Sequence, residues 1–286
     1  MNWQAVLQPL LFISLATLGL LAVARIINQF VMSIHLTDAL VQKDNPAVGI
    51  QIAGYIFGVF IIIGSVLTGS GTGKVMTDAI LVTVYGIAGI VLLGLITSAS
   101  LNVLLEVGAS ESIRTGNVAA GITAAGSYIA SACVIAACVA GDAEGGNALT
   151  SLVFLVLGQV SLLLITYLFR FLTDYDDVQE ILNGNVPAAL SYAGVMIAVG
   201  LIVGHAAEGD FVDYSKSFLA FSKALLAVTA LYPIRQFLVQ GMLLGSGFKL
   251  YGGELDKEIS RDRNINAGII EAVSYIGAAL LIVSVS

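Results

Sequence analysis

Charge is scarce in this sequence. Asp, Glu, Lys and Arg make up 11% of its 286 residues, where a soluble domain carries about 25%. The deficit is concentrated: residues 45–73, 79–105, 115–141, 145–169 and 181–207 contain none of the four. Each run exceeds the roughly 20 residues with which a helix crosses the hydrocarbon of a bilayer. None shows the alternating polarity of a membrane β-strand. Cysteine is almost absent as well. Cys133 and Cys138 share one apolar run and face different directions on a helix, so neither an internal disulfide nor a thiolate metal site follows. With two histidines, no metal-ligand cluster, no nucleophile–base pair and no basic surface, the sequence reads as a non-enzyme without cofactor or metal. Nucleic acid is not an expected partner; the lipid bilayer is. The opening Met1-Asn2-Trp3-Gln4 lacks the basic region of a signal peptide, so the first apolar run reads as a retained helix.

What is present is a repeat. Four times a polar stretch ends in Asn and opens an apolar helix rich in small residues, at Asn45, Asn117, Asn185 and Asn264. The fourth residue after each Asn is Gly49, Gly121, Ala189 and Gly268; the ninth is Gly54, Gly126, Gly194 and Val273. Acidic linkers precede the Asn residues, over Asp38–Asp44, Glu106–Arg114, Asp174–Glu180 and Glu254–Asp262. The pattern predicts eight transmembrane helices near 5–31, 47–68, 79–105, 118–140, 149–172, 187–205, 218–244 and 265–285. One repeat is a helical hairpin, so all four repeats share an orientation and are parallel rather than inverted. The fold class is an all-α polytopic membrane bundle of four parallel helical-hairpin repeats in two four-helix halves, residues 1–143 and 144–286, divided near Gly141–Asn147. Nine Lys and Arg residues fall on the side of the Asn linkers and three (Lys74, Lys216, Lys223) on the other. This places the Asn linkers in the cytoplasm and both termini outside it.

The acidic linker, the Asn, the small-residue helix and the paired hairpins resemble the YjfL-like inner-membrane proteins, the domain of unknown function 350. The matching stretches are Thr37–Gly69 with Ser112–Gly141, then Asp177–Gly204 with Asp256–Val285, two tandem units in all. The fourth repeat departs, with Val273 in place of Gly and Glu271 inside the helix. The resemblance implies a multi-pass protein of the bacterial inner membrane and a link to envelope stress; it implies no activity.

Three groups of residues are candidate sites. The four Asn residues suit helix N-caps, and four helix N-termini gathered about one axis would form an anion vestibule. Glu271 lies seven residues past Asn264, about 10 Å into the membrane. Arg235, two residues after Pro233 and descending from the other side, reaches the same depth. Intramembrane charges mark functional sites, so Glu271 and Arg235 are expected to pair, with Gln51 and Asn102 as further polar groups of an intramembrane site. Asp174, Asp176, Asp177 and Glu180 form the densest acidic linker, a surface for a basic cytoplasmic partner. Glycine-rich helix faces suit a homo-oligomer. The intramembrane charges point to a channel or transporter for a small ion or polar solute. The alternative is a non-catalytic scaffold or envelope-stress component that recruits its partner through the acidic loops.

Overall fold

The structure, a computed structural model, describes residues 3–32, 38–69, 74–105, 108–140, 147–247, 249 and 251–285. The expected turns at 70–73 and 141–146, and with them most of the expected division between halves, lie outside the described residues. All described regular structure is helical, and eight helices are long and apolar enough to span a membrane. They are α1 (Trp3–Met32), α2 (Pro46–Thr68), α3 (Val75–Leu104), α5 (Val118–Val139), α6 (Ala148–Phe169), α8 (Val186–Ala207), the run Tyr214–Leu243, and α12 (Ile265–Val285). The run Tyr214–Leu243 is composite: α9 (Tyr214–Leu225), a 3₁₀ segment, α10 (Leu231–Arg235) and a π-helical end, Gln236–Leu243. Pro233 lacks the N–H that a regular ladder would use. Short linker helices, α4 (Ala109–Arg114), α7 (Asp177–Leu182) and α11 (Glu254–Ser260), and a π-turn at Asp38–Gln42 precede the Asn residues.

Each Asn turns the chain from linker into membrane by the same device. The residue before it takes a left-handed backbone: Asp44 (φ 45°), Gly116 (97°), Gly184 (79°) and Arg263 (51°). Glycine adopts this freely, which explains two Gly-Asn pairs; Asp44 and Arg263 adopt it at a cost of roughly 1 kcal/mol. The Asn amide N–H then returns to a linker carbonyl, as Asn117 does to Ser112 and Asn185 to Glu180. Its side-chain Oδ1 accepts from the first turn of the helix: from Ala47 and Val48 at Asn45, Ala120 at Asn117, Ala188 at Asn185 and Asn266 at Asn264.

The Asn-capped helices α2, α5, α8 and α12 pack in sequence, α2 on α5, α5 on α8, α8 on α12. They form a row, and a shared vestibule about one axis does not form. The middle members are the core of the protein: 78% of the most apolar stretch of α8 and 67% of that of α5 are buried, against 17% for α1. Small residues set the spacing. A Cβ on Gly54 would come 2.3 Å from the Ala125 Cα, one on Gly126 2.8 Å from the Ala193 Cα, and one on Gly194 2.4 Å from the Ala272 Cα. Such approaches admit only glycine. Gly121 and Gly268 make the matching contacts nearer the Asn residues, against Ala47 and Pro187. Val273, at the same position of α12, faces none of the described helices closely and is exposed. The seam between the two halves, α5 on α8, is built like the seams within them, and one hydrophobic core runs through both.

Candidate functional site

Besides capping, the Asn side chains tie each repeat to the next. Asn45 Nδ2 donates to the carbonyls of Ile113 and Arg114 at 3.0 and 3.1 Å. Asn117 Nδ2 does the same to Ile181 and Leu182, both at 3.0 Å. Asn185 Nδ2 donates to the Ile259 carbonyl and to Glu180 Oε2. Asn264, in the last repeat, donates among the described residues only to Glu258 of its own linker. The amide groups expected to line an anion vestibule are thus spent on protein carbonyls and carboxylates.

The charged groups of the protein interior gather at the Asn end of the last hairpin. Arg235, Asp256 and Glu271 are at most 1% exposed. Arg235 Nε donates to Glu271 Oε1 at 2.6 Å, Nη2 to Asp256 Oδ1, and Nη1 to Gln236 Oε1 at 2.7 Å. Gln236 is fixed in turn, its amide donating to the Lys249 carbonyl at 2.6 Å and to the Tyr232 hydroxyl at 3.0 Å. The π-helical end turns both Gln236 and Gln240 inward, where they are fully buried. Gln240 Oε1 accepts from the Leu255 amide at 3.1 Å and holds the start of α11, the helix that delivers Asp256. The second oxygen of Asp256 accepts the Asp174 amide at 2.9 Å.

A third buried carboxylate stands close by. Asp177, 3% exposed, accepts the Thr173 hydroxyl at 3.0 Å. Burial pushes its carboxyl up to about 7, the charge of Glu271 adds to that shift, and the Thr173 hydrogen bond and Arg170 oppose it. The Tyr175 hydroxyl lies within electrostatic reach of Asp177, Glu271, Asp256 and Arg235, and burial raises its pKa well above the ordinary phenol value. That hydroxyl and Glu271 Oε2 are buried and have no hydrogen-bond partner among the described residues. Among the described residues no three His, Cys, Asp or Glu side chains form a metal-binding group.

The predicted site residues separate into those the fold brings together and those it does not. Glu271 and Arg235 meet. Gln51 is buried in α2, at the opposite end of the row, its Oε1 unpartnered. Asn102 is exposed on α3. Of the acidic linker, Asp176 caps α7 by accepting from Val178 and Gln179, Asp177 is buried, Glu180 accepts from Asn185, and Asp174 is exposed while its amide binds Asp256. Sequence reasoning missed Asp256, Asp177 and Tyr175 as neighbours of the ion pair. The signal was available in the linkers, where Val178 and Ile181, and Leu255 and Ile259, repeat at helical spacing and bury one face of each short helix.

At the opposite ends of the same helices lies a cavity of about 810 Å³, lined by Ser65, Thr68, Asn147, Thr150, His205 and Glu208 among others. His205 Nδ1 stands 3.3 Å from Glu208 Oε2. The cavity reaches inward to Ile61, Cys133 and Leu201, each sixteen residues past its Asn. Between that level and Glu271 the glycine seams close the row over about 13 Å of helix.

A family model described as Domain of Unknown Function (DUF350) matches the chain twice, over residues 1–139 and 145–285. No curated protein and no solved structure matches it.

Proposed function

The chain belongs to the DUF350 family, whose domain it carries twice in tandem, and from the geometry of the second copy we propose that this integral membrane protein transports a small ion or polar solute. The observation that carries the reading is a charge count. Three buried carboxylates, Asp177, Asp256 and Glu271, stand against one fully buried guanidinium, Arg235. An uncompensated charge in a low-dielectric interior costs several kcal/mol unless a proton or cation joins it. A purely structural ion pair needs no such surplus. Glu271 Oε2 and the Tyr175 hydroxyl, buried and unpartnered, supply the oxygens that a bound proton or cation would use. The Lys and Arg imbalance puts this site on the cytoplasmic side and the cavity outside. The closed layer between them suits a carrier that opens to one side at a time more than an open pore.

The scaffold reading draws on the same closed packing. It is weakened because Asp176, Asp177 and Glu180 are committed to bonds within the protein, which leaves little of that linker for a basic partner. Flux separates the two. Reconstituted in liposomes, the protein is expected to pass protons, alkali cations or a small organic cation, and Glu271→Gln is expected to abolish that flux while the protein stays folded. Full flux in a folded Glu271→Gln protein overturns the role of this site.

A further inference from the structure

A second set of buried polar groups lies outside the charged cluster. Tyr192 of α8, Thr166 and Gln159 of α6 and Ser131 of α5 are each less than a tenth exposed. The hydroxyls of Tyr192, Thr166 and Ser131 and the Oε1 of Gln159 have no hydrogen-bond partner among the described residues. Lipid tails offer such groups nothing, and an unmet hydroxyl in a protein interior is expensive.

Thr166 and Gln159 lie two turns apart on one face of α6. Beyond Thr166, Thr173 binds the Asp177 carboxylate. Beyond Gln159, Thr150 of the same helix lines the far cavity. The Gln159 amide donates to the Ser131 carbonyl at 3.2 Å and ties this face to α5. Ser131 and Thr166, with Ser100, Ser127 and apolar neighbours such as Leu162 and Met196, line a hole of about 10 Å³, about the least space that holds one water. At the Asn end Tyr192 is near enough to Asp177 to feel its charge.

We propose that α5, α6 and α8 enclose a file of water along which protons pass between the far cavity and the Asp177 carboxylate. This rests on the transport reading and names the proton as the ion moved. A proton from cavity water enters near Gln159 and crosses by O–H exchange through waters held at Ser131, Thr166 and Tyr192. At each oxygen one O–H bond forms as another breaks; the last forms on Asp177, which then gives its proton to water on the side of the exposed Asp174 and Asp176. Besides Tyr192, the groups around that carboxylate are Thr173, Tyr175, Arg170, Asp176 and Glu271. The route runs beside the glycine seams, which explains how a closed row and a conducting path coexist.

The test is proton flux through the full chain in liposomes containing a pH-sensitive dye, driven by a potassium diffusion potential. Thr166→Val keeps the shape of the side chain and removes its hydroxyl. It is expected to slow wild-type proton flux about tenfold, the kinetic equivalent of one hydrogen bond lost at the barrier. Asp177→Asn is expected to abolish it. Proton flux that survives both changes but disappears in Glu271→Gln overturns the water file and leaves transport at the charged cluster standing. Wild-type protein that moves a cation but no protons also overturns the file. A high-resolution map provides a second measure: density within hydrogen-bond reach of Ser131 and Thr166 supports it, and a dry hole overturns it.

Discussion

Gly194 sits so close to α12 that a Cβ on it would come 2.4 Å from the Cα of Ala272. The backbone contact leaves nothing flexible to move aside. Gly194→Ala is therefore expected to destabilise the protein by roughly 1–3 kcal/mol. Gly277→Ala, on the same pair of helices, is expected to be neutral or slightly stabilising, because nothing lies within 4 Å of the added carbon. Melting temperatures of the two variants in one detergent compare them directly.

The inter-repeat bonds of the Asn residues predict unequal costs for the same substitution. Asn117→Ala loses the cap on Ala120 and two bonds to the α7 carbonyls. A loss of roughly 2–3 kcal/mol is expected, with faster amide exchange in α7. Asn264→Ala gives up no contact to another repeat and is expected to cost about 1 kcal/mol. Equal losses at the two sites would show that capping alone matters.

Removing one partner from the charged cluster exposes the others. Arg235→Leu strands Glu271 and Asp256, and a loss of roughly 3–5 kcal/mol is expected. Glu271→Gln keeps an acceptor for Arg235 Nε and is expected to cost much less. The double variant Arg235→Leu with Glu271→Leu is expected to be more stable than Arg235→Leu alone, since it leaves one fewer uncompensated charge. Chemical or thermal unfolding of the three variants measures the coupling.

Asp177 gives the folded state a proton that the unfolded chain lacks. Its carboxyl rises from an ordinary 3.8 to about 7. Between those values the native state binds more proton than the unfolded state. Its contribution is greatest at low pH and falls as pH rises through that window. Asp177→Asn is expected to flatten this part of the profile and to be the more stable protein at pH 8, by roughly 2–4 kcal/mol. A melting series from pH 4 to 8 on both proteins reads the difference.

The membrane helices were legible because their evidence is local: long apolar runs poor in charge, every second one opened by an Asn of the repeat. The meeting of Arg235 and Glu271 was legible too, because helical rise converts residue number into depth. Whether the repeats close into a ring or stop as a row depends on contacts between distant helices. Val273, a departure from the glycine pattern, marked the fourth repeat as different and no more. The burial of Asp177 and Asp256 went unread because acidic linkers suggest solvated loops, while Val178, Ile181, Leu255 and Ile259 draw the short helices down onto the bundle. Gln51 and Asn102 were grouped by polarity alone, and the fold sets them on different helices facing different surroundings.

The seam between the copies repeats the seams inside them, Gly126 on Ala193 being of one kind with Gly54 on Ala125 and Gly194 on Ala272. Two identical one-copy chains joined through that seam would be obliged to duplicate every feature, and they would have to find each other by diffusion. Joined in one polypeptide, the copies meet at a high effective concentration and are free to diverge. The divergence is visible at the seventh position after each Asn, where Ile52, Ala124 and Tyr192 precede Glu271. All four of the buried charged residues among the described residues, Asp177, Arg235, Asp256 and Glu271, belong to the second copy. One polypeptide thus lets the second copy alone carry a charged interior that a symmetric pair would have carried twice.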